Sequence, residues 1–362
     1  MIKKISLLLL LLVCASSHGQ AVRNYSNEFM NIGVDAAALG MANAVTSSTS
    51  DVNSCYWNPA GLTHLDDQEV SLMHANYFAN IAQYDYIAYA KSIDNQSAWG
   101  VSLIRFGVDD IMDTSELIDS QGNIDYNRIS LFSTADYGFT VSYARKLTLS
   151  GFHYGVNTKV IRRVIGKFAS SWGFGFDAGL QFEKNNWQFG LMLRDITTAY
   201  NIWNINEVAY KKIADAIPGQ NQELPESNEI TAPKAQLGLS KKFIVRYDYS
   251  ILAAANINMR FTKTNDLITT DFMSVDPALG FEFGYTDLVF LRTGLGNFQK
   301  TEQIESTLIN PKFKTSFQPN IGLGFKYKGV QVDYALTNLG NQSTTLYSNV
   351  FSVKVDLGQF RN

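Results

Sequence analysis

The residues best suited to catalysis or metal binding are few in this chain of 362 residues, and they lie far apart. His64, His74 and His153 have no spacing that is typical of a metal site. Ser71 and His74 could supply a nucleophile and its base, but residues three apart on a strand point to opposite faces. The sequence has neither a Gly-x-Ser-x-Gly elbow nor a P-loop. It therefore predicts no enzyme activity, no cofactor, and no catalytic or metal-binding residue.

The most specific local pattern suits packing rather than reaction. In the octapeptide CYWNPAGL, Asn58 and Pro59 favour a turn, because Pro fixes φ and Asn can hydrogen-bond to its own backbone. Gly61 permits a close backbone approach. Tyr56 and Trp57 are large amphipathic side chains that can fill a cavity while their polar atoms find partners. The motif therefore predicts a tightly packed turn, and a ligand site is the less favoured alternative.

Composition and the first residues indicate an exported protein. The chain is 46% hydrophobic, 13% aromatic and 17% charged, with a formal net charge of -3. This near-neutral balance argues against nucleic-acid binding, which needs a basic face. Lys3 and Lys4 precede the apolar run 5–13, so residues 1–19 are predicted to be a secretory signal peptide. The mature chain would then retain only Cys55 and could form no intramolecular disulfide.

A period of two dominates the chain from about residue 68 onward. Between Trp172 and Phe182, for example, large apolar residues alternate with glycine and polar residues. This pattern places each set on one side of a sheet. Many such segments reach the roughly 9–11 residues of a membrane-spanning β-strand. Because aromatic residues also cluster at strand ends, a transmembrane antiparallel β-barrel is favoured over the alternative, a soluble β-sandwich.

The alternating segments can be counted as about fourteen strands. An even number is expected of bacterial barrels, and it places both ends of the barrel chain toward the periplasm. Long connections are predicted at 107–134, 195–232, 261–271 and 298–315, and short turns separate the other strands. The predicted strands are 68–77, 83–91, 96–106, 135–146, 150–165, 170–183, 186–194, 233–241, 247–260, 272–286, 287–297, 316–327, 329–337 and 347–358.

Residues 20–66 precede the first strand and do not share its period. A segment of this length is too short for an independent domain, whereas the lumen of a barrel this size is wide enough to leak. We therefore expect 20–66 to fold into the barrel mouth as a plug and 67–362 to form the outer-membrane barrel. The predicted fold class is all-β: a barrel of about fourteen strands with an N-terminal plug.

Segment 25–62 resembles the N-terminal signature of the PorV/PorQ family, outer-membrane barrels of Bacteroidetes that are related to the FadL long-chain fatty-acid transporters. The pattern Gly-x-x-Ala-x-x-Leu-Gly-Met is followed by Tyr-Trp-Asn-Pro-Ala-Gly-Leu. Ala37 departs from the usual Arg and Asp35 from a common Gly. If that Arg anchors the plug to a lumen carboxylate, the anchor is missing or supplied otherwise here. The plug-motif residues are Gly33, Gly40, Met41, Tyr56, Trp57, Asn58, Pro59, Ala60, Gly61 and Leu62.

The resemblance implies a FadL-like barrel in the outer membrane of a Gram-negative, Bacteroidetes-like cell. The first function it implies is that of a component or accessory of the type IX secretion system, which binds secreted cargo proteins or translocon subunits. The alternative is a FadL-like passive transporter of hydrophobic small molecules. A purely structural barrel remains if both fail. The implied partners are outer-membrane lipids and these proteins, and nucleic acid is not among them.

Two prolines and one loop are further candidate sites. Pro277 and Pro319 lie in or near predicted strands, where proline removes a ladder hydrogen bond. They could mark a lateral opening of the kind through which FadL-like proteins release ligand, or a harmless bulge near the rim. The loop 195–232 is a candidate partner-binding surface, because loops on a rigid scaffold commonly carry recognition. Its candidate residues are Tyr200, Trp203 and Pro233.

Charged residues of both signs fall on the predicted lumen face. We expect them to form cross-strand pairs, because a selective ion pore would favour one sign. They are Lys159, Arg163, Asp177, Glu183, Arg194, Arg260, Asp276, Glu282, Arg292, Lys326, Asp333, Lys354 and Asp356.

Overall fold

A computed structural model shows that the chain forms a closed antiparallel β-barrel. It describes residues 26–78, 80–118, 121–216, 227–302, 313–337 and 348–360. The predicted signal peptide at 1–19 lies outside the described residues.

The strands within this part of the chain are numbered in chain order. They are β1 (Gln68–Tyr77), β2 (Ala82–Ser92), β3 (Ser97–Asp113), β4 (Ser130–Lys146), β5 (Phe152–Ile165), β6 (Ala169–Lys184), β7 (Trp187–Arg194), β8 (Ala199–Ile205), β9 (Asn228–Thr231), β10 (Lys234–Arg246), β11 (Tyr249–Arg260), β12 (Ile268–Thr269), β13 (Ser274–Tyr285), β14 (Val289–Glu302), β15 (Phe313–Tyr327), β16 (Val330–Thr337) and β17 (Ser348–Asp356).

Fourteen of the described strands form the barrel wall. They are β1 to β7, β10, β11 and β13 to β17, each hydrogen-bonded to the next. The ring closes where β17 pairs with β1, from Glu69 opposite Asp356 to Asn76 opposite Asn349. Closure pairs the first strand with the last, so neither β1 nor β17 is a free edge. The predicted all-β barrel and its strand count are therefore confirmed.

The predicted connection 195–232 contains regular structure of its own. β6 is longer than β7, so its residues Ala169–Phe174 extend beyond the last pair between these two strands. β8 pairs with this extension, and β9 pairs with β8. The pairing satisfies backbone groups that an open edge would leave without partners. A helix over Glu207–Ala216 then follows β8.

The two faces of the wall differ as the alternation predicts. On β6, Phe174, Phe176 and Leu180 point outward and are exposed, whereas Asp177 and Gln181 point inward and are buried. Many other large apolar side chains are exposed on the outer faces of the wall strands. An outer face of this kind matches the apolar band of a barrel that contacts lipid.

The two ends of the barrel differ in their connections. At one end, strands are joined by short turns that use positive φ angles, as at Asn185–Asn186 and Thr286–Asp287. We call this the short-turn end. The other end carries the longer connections, including β8, β9 and β12, and we call it the long-loop end. Outer-membrane barrels place their short turns in the periplasm.

The described residues ahead of β1 contain two short α-helices, α1 (Ala36–Gly40) and α2 (Ser54–Trp57), and two 3-10 helices, Glu28–Asn31 and Pro59–His64. We call residues 26–65 the N-terminal segment. Most of this segment is buried, and its apolar side chains share one core with inward-facing residues of the wall. Among the described residues, none of the helices has the length and apolar character needed to cross a bilayer.

Candidate functional site in the barrel lumen

Asn58 and Pro59 form the sharp turn that their types predict. Asn58 is extended (φ -164°), its side-chain oxygen accepts a hydrogen bond from Ala60 N at 3.3 Å, and Pro59 begins the 3-10 helix. The Asn58 amide donates to Thr46 O at 3.0 Å and to Leu180 O at 3.1 Å. One buried side chain therefore ties the turn to the rest of the N-terminal segment and to the backbone of β6.

Tyr56 and Trp57 fill the space beside this turn, with ring centroids 4.7 Å apart in an edge-to-face arrangement. The Tyr56 hydroxyl donates to Met30 O at 2.8 Å, and Trp57 Nε1 donates to Val34 O at 3.1 Å. Burial raises the pKa of the Tyr56 hydroxyl, so it stays neutral and remains a donor. Arg194 of β7 covers the Tyr56 ring at 4.5 Å and donates to Tyr56 O at 2.8 Å.

Glycines on the inner face of the wall provide the room for these contacts. An added Cβ at Gly155 would lie 2.5 Å from the carbonyl carbon of Pro59, and one at Gly179 would lie 2.0 Å from Asn58 Oδ1. At Gly100 it would lie 2.5 Å from Cys55 Sγ. Real Cβ contacts are never this short. The wall is therefore shaped to receive the N-terminal segment.

The first half of the motif, Gly33 to Met41, packs closely against the wall in the same way. Gly33 has φ +106°, a conformation that side chains rarely adopt. A Cβ at Gly40 would lie 3.1 Å from Gly322 Cα on β15. Met41 lies against β13 and β14, where an added Cβ on Gly280 or Gly294 would approach its backbone to 2.6 or 2.3 Å. Leu62, Ala60 and Gly61 are likewise fully enclosed. All ten motif residues thus lie in one buried interface, although their functional roles stay a prediction.

Asp35 and Ala37, the two departures from the family pattern, have a local explanation. Asp35 has φ +71°, which accounts for the glycine common at this position. Its carboxylate accepts from Ala37 N at 3.3 Å and from Ser352 Oγ at 2.8 Å. Burial, with a smaller contribution from Asp333, raises the pKa of Asp35 to about 6.

Other residues supply the cation that Ala37 lacks. Arg292 of β14 bridges two lumen carboxylates, at 2.6 Å from Glu282 Oε2 and 2.5 Å from Asp333 Oδ1. Lys354 of β17 pairs with Asp51 of the N-terminal segment. The wall arginine therefore neutralises the lumen carboxylates, and a lysine on the wall anchors the segment.

Other lumen charges form the expected cross-strand pairs. Lys159 contacts Asp177 at 2.7 Å and Asp195 at 2.6 Å, and all three are buried. Arg163 contacts Asp136 at 3.0 Å and Glu229 at 3.7 Å. Charges paired in this way compensate one another, and among the described residues they form no single-sign ring of the kind that selects ions.

The Ser71–His74 pair is not brought together. Ser71 is buried in the lumen, whereas His74 lies on the outer face and hydrogen-bonds with Asp85 at 2.7 Å. The expectation from strand geometry is confirmed, and this pair cannot act as nucleophile and base.

Pro277 lies just beyond the point where the pairing of β13 with β14 ends. It pairs with Ile257 of β11, but the ladder between β13 and β14 begins only at Leu279. Beyond that point β14 still contacts β13, since Phe298 N donates to Asp276 Oδ1 at 3.0 Å and Gly296 lies against Ala278. Pro319 lies nearby, since it pairs with Leu295, the β14 partner of Leu279. We call the region of β13 and β14 beyond Leu279 the seam.

A cavity of about 430 Å³ lies between the N-terminal segment and the long-loop end. Its walls combine apolar and charged side chains, and part of its lining belongs to the seam. Lining residues from the segment include Leu39 and Trp57, those from the wall include Lys234 and Arg260, and those from the seam include Asp276 and Gly296.

The three predicted partner-binding residues do not form one surface. Tyr200 and Trp203 lie on β8, where Tyr200 points outward and is exposed. The Trp203 ring instead packs against Arg163 at 5.2 Å, on the lumen side. Pro233 lies immediately before β10. The prediction that these residues bind a partner stays a prediction.

Sequence reasoning missed two features of the lumen. The first is the role of the inward glycines: the alternation places them on one face, but it does not indicate that Gly155 and Gly179 make room for the N-terminal segment. A second feature, a cluster of His64, His153 and Glu183, has no signal in the sequence. His153 and Glu183 lie on the paired strands β5 and β6, and His64 joins them only because the N-terminal segment packs against this part of the wall.

Comparison with known proteins gives one family and one fold. A family model described as type IX secretion system protein PorV matches residues 16–210, which is more than half of the chain. No curated protein is a significant match.

Several solved outer-membrane transporters have a similar structure. The toluene transporter TbuX of Ralstonia pickettii is 10% identical, with a TM-score of 0.54 over 89% of this chain and 98% of that one. The toluene transporter TodX of Pseudomonas putida is 13% identical, with a TM-score of 0.53 over 90% and 98%. A FadL homologue of Pseudomonas aeruginosa is 14% identical, with a TM-score of 0.51 over 89% and 97%. At these identities the likeness concerns the fold alone.

Proposed function

Since the chain belongs to the PorV family of type IX secretion system proteins, we propose that it acts in protein secretion by binding, without enzymatic chemistry of its own. It is a FadL-like barrel of the outer membrane. Its binding partners are secreted cargo proteins or a subunit of the translocon. Lipids of the outer membrane surround its exposed apolar face.

The observation that carries this proposal is the occupied lumen. The N-terminal segment contacts inward-facing residues of strands all around the wall, from Gly100 on β3 to Ser352 on β17. Many of the wall residues that it contacts are glycines, so the wall sequence itself provides the space for the segment. A lumen filled in this way offers no path for a polypeptide. The segment therefore acts as a plug, and partner binding falls to the outer surfaces of the barrel.

The long-loop end provides a surface suited to protein binding. β3 and β4 are the longest described strands, with 17 residues each, and their outer ends and the connection between them carry exposed apolar side chains. These side chains belong to Met112, Ile118, Ile124, Tyr126 and Leu131. Exposed apolar groups that lie close together commonly mark interaction sites. At the same end, β8, which pairs with β6, carries Tyr200 and Ile202, which are also exposed.

Crosslinking and co-purification from native outer membranes test this proposal. We expect the protein to retain a secretion-system subunit or a cargo protein, and the double variant Tyr126→Ser with Leu131→Ser to lose it. Leu149→Ser is the matched control, because Leu149 is equally exposed at the short-turn end. The absence of every secretion-system protein, or equal loss in the control, would contradict the proposal.

A second candidate function, the transport of small molecules, is favoured by the cavity and the seam. The cavity of about 430 Å³ is within the range of ligand pockets, and its lining reaches the seam. Its mixed lining suits an amphipathic molecule with a charged or polar group. Mass spectrometry of molecules that co-purify with the protein tests this, with Ala278→Trp as a variant that fills the cavity. If the wild type and this variant carry the same molecules, transport through this cavity is rejected.

A further inference from the structure

Three potential metal ligands converge at the short-turn end. His64 ends the 3-10 helix Pro59–His64, His153 is the second residue of β5, and Glu183 lies near the end of β6. Their ligand atoms all lie within 4.8 Å of one another. The two imidazole rings are 4.7 Å apart. One ligand comes from the N-terminal segment and two from the wall.

The distances fit a tetrahedral ion. Glu183 Oε1 lies 3.4 Å from His64 Nε2 and 3.3 Å from His153 Nε2. Ligand atoms bound at 2.0–2.1 Å to a tetrahedral Zn²⁺ are separated by about 3.3 Å. These two separations therefore match those expected in a tetrahedral site, and they are longer than good hydrogen bonds between these groups.

A hydrogen-bond chain orients His153 as a metal ligand. The Thr63 hydroxyl donates its one proton to Ala60 O at 2.9 Å. It must then accept from His153 Nδ1, which lies 2.6 Å away. With Nδ1 protonated, Nε2 of the neutral ring presents a lone pair toward the Glu183 carboxylate. Two acceptors face each other in this way only if a cation or a proton lies between them.

The cluster is also accessible from one side. The Glu183 and His64 side chains are 36% and 23% exposed, whereas His153 is 8% exposed. An ion can thus reach the cluster from solvent, and water can supply the fourth ligand.

We propose that His64, His153 and Glu183 form a binding site for a divalent transition-metal ion, with Zn²⁺ as the best fit. The ion joins the N-terminal segment to β5 and β6. The sequence predicts no metal site, because the ligands have no local spacing. The site does not depend on the proposed function in secretion.

Zinc titration of the purified, folded barrel tests this inference. The protein is stripped with a chelator in detergent, and Zn²⁺ binding is followed by isothermal titration calorimetry. We expect one equivalent to bind with micromolar or tighter affinity. His64→Ala and His153→Ala should abolish this binding, and Thr63→Val should weaken it about 10–100-fold, because it removes the partner that orients His153. Retained electrophoretic mobility of the folded barrel confirms that each variant is assembled.

His74→Ala is the matched control, because His74 contacts Asp85 on the outer wall, away from the cluster. It should bind Zn²⁺ as the wild type does. Bound Zn²⁺ should also raise the unfolding temperature of the wild type and of His74→Ala, but not that of His64→Ala. The inference is overturned if the wild type shows no saturable binding, or if binding survives in both His64→Ala and His153→Ala. The former result would mean that a proton on His153 alone occupies the gap.

Discussion

At Asp35, the N-terminal segment carries a carboxylate where the backbone favours glycine. Asp35 has a φ of +71°. Its side chain is held by two hydrogen bonds, because Ser352 Oγ of the wall and Ala37 N of the segment both donate to one carboxylate oxygen. Burial makes the ionised form costly, and the neighbouring Asp333 adds repulsion, so the pKa rises from 3.8 to about 6. Lys354 opposes this shift but does not cancel it. The residue is therefore a source of pH-dependent stability.

Asp35→Asn should stabilise the folded barrel at neutral pH. The folded pKa of Asp35 lies above its unfolded value, so folding takes up a proton between about pH 4 and pH 6. The wild type therefore loses stability as pH rises through this window, by up to about 3 kcal/mol. Asn keeps the acceptor oxygen and has no charge to bury. Denaturant unfolding at pH 4 and pH 7.5 measures the difference.

The stabilising effect should appear at pH 7.5 and vanish near pH 4. Asp66→Asn is the control, because Asp66 is exposed and directly follows the N-terminal segment. An equal effect in this control, or a difference that does not change with pH, would show that Asp35 is not the responsible group.

Residue identity predicts part of the lumen chemistry and not the rest. The turn at Asn58 and Pro59 follows from their own conformational preferences, and it is present. Glu282 lies opposite Arg292 in the hairpin of β13 and β14, but Asp333 lies two strands from β14, so the three-residue contact could not be predicted. The cluster of His64, His153 and Glu183 could not be predicted either, because it forms only where the N-terminal segment lies against β5 and β6.

At the scale of elements, the 3-10 helix Pro59–His64 packs on a part of the wall where the inward-facing residues are glycines. Its first residues pack directly on Gly155 and Gly179, so backbone meets backbone. Nearby, Cys55 is fully buried with its sulfur against Gly100. Burial raises the pKa of the Cys55 thiol to about 12. The thiol is therefore unreactive in the folded barrel, and it can report any displacement of the segment.

Gly155→Ala should loosen the N-terminal segment. Its new Cβ would lie 2.5 Å and 2.6 Å from backbone atoms of Pro59 and Ala60, so the helix must move. Overpacking of this kind costs about 1–3 kcal/mol, and 1.4 kcal/mol corresponds to a tenfold change in an opening equilibrium. We expect a maleimide to label Cys55 about tenfold faster than in the wild type.

Gly284→Ala is the control for this labelling experiment. The atoms nearest to its Cβ belong to the side chains of Ser250 and Phe290 in the wall, away from the N-terminal segment. Its labelling rate should equal that of the wild type. Equal labelling rates of Cys55 in the wild type and in both variants would mean that the close contact at Gly155 does not hold the N-terminal segment in place.

Strand positions were predictable, and strand lengths were less so. β6 and β17 have an apolar outer face toward lipid, and this produces the alternation from which their positions were predicted. Their observed bounds therefore match the predicted segments closely. β3 and β4 extend beyond the predicted ends, to Asp113 and from Ser130. These extensions lie beyond the apolar band, and their sequences do not alternate between apolar and polar residues. β8 forms because β6 leaves an edge to be paired, a property of the sheet rather than of residues 199–205.

For the whole molecule, the question is whether the N-terminal segment seals the barrel. Trp57 is its largest buried side chain, and it is 3% exposed. Its ring fills space beside Tyr56, and its Nε1 bonds to Val34 O, so it joins the two halves of the motif. Removal of the Trp57 ring would leave a cavity and would leave Val34 O without this hydrogen bond, inside the lumen. Both effects destabilise the packed position of the N-terminal segment.

Trp57→Ala should therefore make the assembled barrel leak. Truncation of a buried tryptophan costs about 3–5 kcal/mol, enough to populate states in which the segment has moved. Single-channel recording in planar bilayers should show no current for the wild type and openings for Trp57→Ala. Trp57→Phe, which keeps an aromatic ring, should stay largely closed. Trp172→Ala is the control, because Trp172 lies on the outer face of β6. If Trp57→Ala assembles and conducts no more than this control, the N-terminal segment does not depend on Trp57 to seal the lumen.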